Sequence, residues 1–171
     1  MNILTVVPHR AYMSRVVKDV RDAYSSEHNN MICYVTLNRP HKSVVASLDD
    51  GETVMERFFF VDAITKTVVD NPEMVNNCSF VSSPSSFDEM LTTVEKIIEN
   101  KEFGAVVFDS VCTLFSYAHP EVVLKFLRKL AIAVDIADCE GVFVAIKPNI
   151  RQEIIDRLDV VADKVIYMDN D

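Results

Sequence analysis

The side chains best placed for chemistry in this 171-residue sequence are those that end its apolar runs. Phe103 to Ser110 reads F-G-A-V-V-F-D-S, a run that delivers the Asp109 carboxylate and the Ser110 hydroxyl to one end. A carboxylate at the end of a buried strand either holds the water shell of Mg²⁺ or caps the next turn. Arg10, Arg39 and Lys147 also follow apolar runs. Three cations converging on one edge would bind an anion; three solvated loop cations are the plainer expectation. Ser110 has no evident base beside it, so nucleophilic catalysis lacks its activating group. His9, His28, His41 and His119 show neither triad nor metal-ligand spacing, and each is expected at the surface or in a loop.

Cys33, Cys78, Cys112 and Cys139 are far apart, form no C-x-x-C pair and have no histidine at ligand spacing. They read as reduced, buried thiols of a cytoplasmic protein. Acidic residues number 26 and basic ones 17, a net charge of −9, and no basic run exists to neutralise phosphates. General nucleic-acid binding is therefore not expected. The only glycines are Gly51, Gly104 and Gly141, which nearly excludes any function built on a glycine-rich loop. An apolar fraction of 49% with 25% charged residues is that of a globular chain, and no apolar stretch approaches the length that crosses a bilayer. The N-terminus lacks the pattern of a signal peptide. Residues 1–171 are expected to form a single domain.

These side chains need strands to carry them. Ile3 to Val7, Met31 to Leu37, Phe58 to Val61, Cys78 to Val81, Ala105 to Phe108, Val142 to Ile146 and Lys164 to Met168 read as short buried strands. Between them, Ala11 to Tyr24, a weak segment from His41 to Leu48, a helix after Ser86, Pro120 to Asp138 and about Ile150 to Val160 read as helices. Ser86 with Glu89 forms a capping-box pattern, and Gly141 is placed as the residue ending the longest helix. Asn149 is placed as an N-cap, and the stretch between the third and fourth strands has no clear assignment. Strands alternating with amphipathic helices predict a three-layer α/β/α domain with a mostly parallel sheet, whose ligands bind beyond the carboxyl ends of the strands.

The run V-V-F-D-S-V-C-T-L-F-S-Y from Val106, the helix V-L-K-F-L-R-K-L from Val123, V-A-D-K-V-I-Y-M from Val161 and F-V-D-A-I from Phe60 together resemble, in the same order, landmarks of the KaiC-like branch of the RecA ATPase superfamily. In that resemblance Asp109 stands at the Walker B position. The family's phosphate-binding loop, G-x-x-x-x-G-K-[ST], falls on Val7 to Ser14. Ser14 can stand at its last position, but Val7 and Tyr12 replace both glycines and Met13 replaces the lysine. Where the family has an acidic residue after its second strand, Leu37 is followed by Asn38 and Arg39.

The resemblance thus implies a RecA-like domain that does not hydrolyse ATP and holds no cofactor. Its expected work is protein association, as a regulatory or scaffolding signal-transduction subunit that self-associates or pairs with an active ATPase paralogue. The alternative is a sensor that binds a nucleotide or another anion at Arg10, Ser14, Arg39, Asp109, Ser110 and Lys147 without hydrolysis. A receiver-type phosphoacceptor with Asp109 as acceptor ranks last, since Pro8 and His9 are not the acidic pair such a fold carries after its first strand.

Overall fold

The computed structural model describes residues 1–8, 30–49, 55–147, 151–158 and 161–168. Seven strands form one sheet: β1 (Asn2–Pro8), β2 (Met31–Thr36), β3 (Phe58–Asp62), β4 (Cys78–Phe80), β5 (Phe103–Asp109), β6 (Glu140–Lys147) and β7 (Lys164–Tyr167). Their order is β4-β3-β2-β5-β6-β1-β7, and every neighbouring pair is parallel. β5, which carries Asp109, is therefore central.

Helices α1 (His41–Leu48), α2 (Phe87–Ile98), α3 (Val111–Leu114), α4 (Pro120–Ile136) and α5 (Gln152–Leu158) fill the connections, with short 3₁₀ turns at Met55–Arg57 and Thr65–Thr67. The helix read over Ala11 to Tyr24, the loop through Arg10 and Ser14, and the cap at Asn149 lie outside the described residues. Parallel strands need crossovers of one hand. The steps β4 to β5, β5 to β6 and β6 to β7 run one way across the sheet, so α2, α4 and α5 share a face; β2 to β3 runs the other way and puts α1 on the opposite face. Consecutive residues Val106, Val107 and Phe108 are each at most 1% exposed, which requires cover on both faces. Phe87 of α2 stacks on Phe126 of α4 at 4.9 Å, and Arg157 of α5 pairs with Glu121 of α4.

Local chemistry differs from expectation at three places. Gly141 lies inside β6 and does not end α4; the residue in left-handed conformation there is Asp138, at φ 60°. Aspartate tolerates that region better than most residues. Gly141 is instead required by crowding, since a Cβ on it would stand 2.2 Å from Asn2 Oδ1. Asn2 crosses that gap to donate to Asp135 Oδ1 at 3.0 Å and, at 3.4 Å, to the Ala131 carbonyl, which fastens the start of β1 to α4. Gly104, expected between elements, is likewise inside β5 against the Asn30 side chain. Ser86 is the N-cap residue of α2, yet the reciprocal capping box does not form: Ser86 Oγ bonds Ser83 Oγ, and Glu89 Oε2 accepts from the Ser82 N–H at 3.1 Å.

Candidate functional site: the carboxyl edge of the sheet

The central strands bring their last residues together along one edge. In register, Asp109 lies between Thr36 of β2 and Val144 of β6, and Asp62 lies beside Thr36 on the outer side of β2. Asp109 is fully buried, and its Oδ2 accepts from the Tyr34 hydroxyl at 2.5 Å. Tyr34 reaches it because residues two apart on a strand share a face and Thr36 is the register partner of Asp109. The chain beyond β2 is tied to the same point: Leu37 N–H donates to the Asp109 carbonyl at 2.7 Å, and Thr36 Oγ1 to the Arg39 carbonyl at 2.6 Å. The Asp109–Ser110 peptide bond is cis. Ser110 is buried, and its hydroxyl finds no oxygen or nitrogen partner among the described residues. Burial pushes the neighbouring Cys112 thiol up, so no thiolate is available to activate it. Cys112 instead accepts the Ile146 N–H at 3.1 Å and pins α3 to β6.

Of the expected cations, Lys147 turns away from this carboxylate. Arg39 follows β2 and Lys147 ends β6, with β5 between them, so their strands are about 10 Å apart at a spacing of roughly 4.8 Å per strand. Lys147 turns toward the other side of β6, where its Nζ sits 4.9 Å from the centroid of the Tyr167 ring on β7. Arg39 is half-buried, and its Nε and Nη2 are buried without a hydrogen-bond partner among the described residues. Arg10 and Ser14 lie outside the described residues.

A second cluster is centred on Asp62 at the end of the third strand, and its partner His41 escaped the sequence pattern. His41 was expected at the surface or in a loop; it is buried as the first residue of α1. Pro40, at the N-cap position, has no side-chain group to offer the helix. Asp62 supplies it from β3: Oδ2 accepts from His41 N at 2.8 Å, His41 Nδ1 at 3.0 Å and Thr65 Oγ1 at 2.6 Å, while Oδ1 accepts from Ile64 N and Thr65 N, each at 2.8 Å. An ionised carboxylate only accepts, so the His41 proton on this side resides on Nδ1. Burial pushes the Asp62 carboxyl up, but the bonds from His41, Thr65 and Ile64 outweigh it and hold the group below its usual range.

Cys78 completes the only candidate metal cluster among the described residues, with ligand atoms of His41, Asp62 and Cys78 within 4.8 Å of one another. The donors do not suit an ion. Five hydrogen bonds occupy the Asp62 lone pairs, and burial, then the charge of Asp62, pushes the Cys78 thiol up to about 12. A metal needs the thiolate. The cluster is a clamp joining the end of β3 to the α1 N-terminus, with Cys78 of β4 beside it.

Among the described residues, two features bear on the nucleotide and Mg²⁺ of a RecA-type ATPase. Asp109 is sealed and bonded to Tyr34, and Pro8, at the end of β1, contributes no N–H where phosphates would need backbone donors.

No protein-family model matches the sequence. No curated protein matches it. Among solved structures the chain is similar to the KaiC-like protein PH0186 from the hyperthermophilic archaeon Pyrococcus horikoshii OT3, at a TM-score of 0.64 and 13% identity over 97% of this chain and 69% of that one. At that identity the likeness is one of fold, and with the all-parallel seven-stranded sheet it gives this chain a KaiC/RecA-like α/β fold.

Proposed function

We infer that the chain is a non-hydrolysing RecA-like domain that acts by protein association, as a regulatory or scaffolding subunit. The observation that carries the reading is the Asp109 carboxylate, buried and bound by the Tyr34 hydroxyl. The turn of Lys147 toward Tyr167 supports it, since a charge-binding crevice would draw that cation inward. So does the sequence from Val7 to Ser14, which lacks both glycines and the lysine of a phosphate loop. Its partners on this reading are other copies of the chain or an active ATPase paralogue. The test is Mg²⁺-dependent ATP turnover by the purified protein beside Asp109→Ala. Turnover no greater than in the variant is expected; activity that disappears with Asp109 overturns the reading.

A second reading, a sensor for a nucleotide or another oxyanion, is favoured by one observation. The Nε–Nη2 edge of a guanidinium is a fork that fits two oxygens, and in Arg39 both nitrogens are buried at the carboxyl edge without partners among the described residues. Calorimetric titration with ATP, ADP and inorganic phosphate, repeated with Arg39→Ala, separates the two: micromolar affinity lost in the variant puts the sensor first.

A further inference from the structure

Helix α4 carries an unusual outward stripe. Val122, Lys125, Lys129, Ile132 and Ile136 recur three and four residues apart and so lie on one side. The solvent side of a surface helix is normally polar. Here Val122, Ile132 and Ile136 are 49%, 52% and 79% exposed. Beside the stripe runs a seam against α2. At the carboxyl ends of the two helices it opens into a groove of about 480 Å³, with Ile98, Ala133 and Ala137 among its lining and Ile136 on its wall. Glu95, Glu99 and Lys101 also line this groove, and a second hollow toward the amino ends of the helices is lined by Asp88, Lys125 and Lys129. Across the face, the α2 side presents Asp88, Glu95 and Glu99, and the α4 side presents Lys125 and Lys129.

We propose that the α2–α4 face pairs with the same face of a second copy of this chain, about a twofold axis running along the helices. The inference rests on the reading of the protein as an association module and names the surface. Each helix leads from the carboxyl end of one strand to the start of the next parallel strand, so α2 and α4 run in the same direction. Rotation about an axis parallel to them lays α2 of each copy over α4 of the other. Residues Asp88 and Glu95 of one copy then oppose Lys125 and Lys129 of its partner, twice over, as an isologous contact demands. A twofold axis across the helices would instead set α2 on α2 and α4 on α4 and oppose like charges. The chosen axis also puts each Ile136 against the groove of the other copy. The 17 residues of α4 span about 25 Å, and two helices side by side about 20 Å, giving roughly 500 Å² in projection. A standard interface buries about 800 Å² per partner, so a weak, concentration-dependent association is expected.

The test is sedimentation velocity of the full chain from low micromolar to several hundred micromolar, with thermal unfolding as the check on folding. Wild type should pass from monomer to dimer, and high salt should weaken it. Two charge-reversed variants, Asp88→Lys with Glu95→Lys and Lys125→Glu with Lys129→Glu, should each dimerise at least about tenfold more weakly alone, a loss of about 1.4 kcal/mol. Mixed together they should associate, because one now carries two basic sides and the other two acidic ones. Ile136→Glu should be monomeric throughout. A monomeric wild type, or a dimer that none of these variants weakens, overturns the proposed face. Neither result touches the turnover assay, so failure here is distinguishable from failure of the non-hydrolysing reading.

Discussion

Replacing Asp62 with asparagine tests whether the buried carboxylate is the clamp between the end of β3 and α1. Asparagine keeps one oxygen, so the Ile64 and Thr65 N–H groups retain an acceptor, but an amide NH₂ takes the place of Oδ2. The Thr65 hydroxyl can turn to accept from it, and the His41 ring can change tautomer. The His41 backbone N–H cannot adapt, and it is left orphaned at the buried start of α1. A buried unsatisfied donor costs about 1–3 kcal/mol, and losing the negative charge at a helix N-terminus adds up to about 1 kcal/mol. Weakening of the remaining charge-assisted bonds adds to this, and relief of carboxylate desolvation offsets part, so a loss of about 3 kcal/mol is expected at neutral pH. With a urea m-value of roughly 2 kcal/mol per molar, the midpoint should fall by about 1.5 M.

The pH dependence follows from the depressed folded-state pKa of Asp62. Its stabilisation is fully present above the unfolded value of about 3.9 and is lost as pH falls through the lower folded value. The gap between wild type and Asp62→Asn should therefore be constant from pH 7 to about 5 and should narrow only below about pH 4. Urea unfolding followed by circular dichroism at several pH values measures both. A loss below about 1 kcal/mol at pH 7, or a gap that does not change toward pH 2, refutes the reasoning.

Tyr34→Phe removes the hydroxyl donated to the buried Asp109 carboxylate and should cost about 1–3 kcal/mol by urea unfolding; a neutral result means that the bond contributes nothing. Gly141→Ala drives a methyl into Asn2 and should cost about 1–3 kcal/mol by the same measurement. In an Asn2→Ala background most of that cost should vanish, and an unchanged cost there would place the strain elsewhere.

The central strands were legible because a parallel sheet covered on both faces leaves no polar positions to interrupt them. Val106 to Phe108 reads as an unbroken apolar run for that reason. Asp109 was found as the residue that ends the run, and its place on the central strand agrees with the reading. Its partner was not found, since Tyr34 lies 75 residues away and an aromatic residue in a strand looks like core. His41 was misplaced because its partner Asp62 lies 21 residues on and no local spacing joins them. The Asp62 turn did leave a trace: an aspartate two and three residues before Ile64 and Thr65 is an Asx-turn pattern. Gly141 was assigned to a helix end on the usual preference of glycine, whereas the constraint is the Asn2 side chain from the far end of the sequence.

The position of β1 sets an order on assembly. The first strand in the sequence is inserted between the two last ones, with Asn2 to Pro8 paired to Gly141 to Lys147 on one side and Ile3 to Val6 paired to Lys164 to Tyr167 on the other. During synthesis β2 to β5 can zip together while β1, whose Leu4, Val6 and Val7 are buried in the finished protein, has no neighbour on either side. Closing it requires β1 to pair with strands far along the sequence, non-local contacts whose loop-closure entropy, though it grows only slowly with separation, must be met before they stabilise anything. Until the ribosome has released β6 and β7, the nascent chain presents an unpaired apolar ribbon, and this ribbon is the segment that a chaperone would shield.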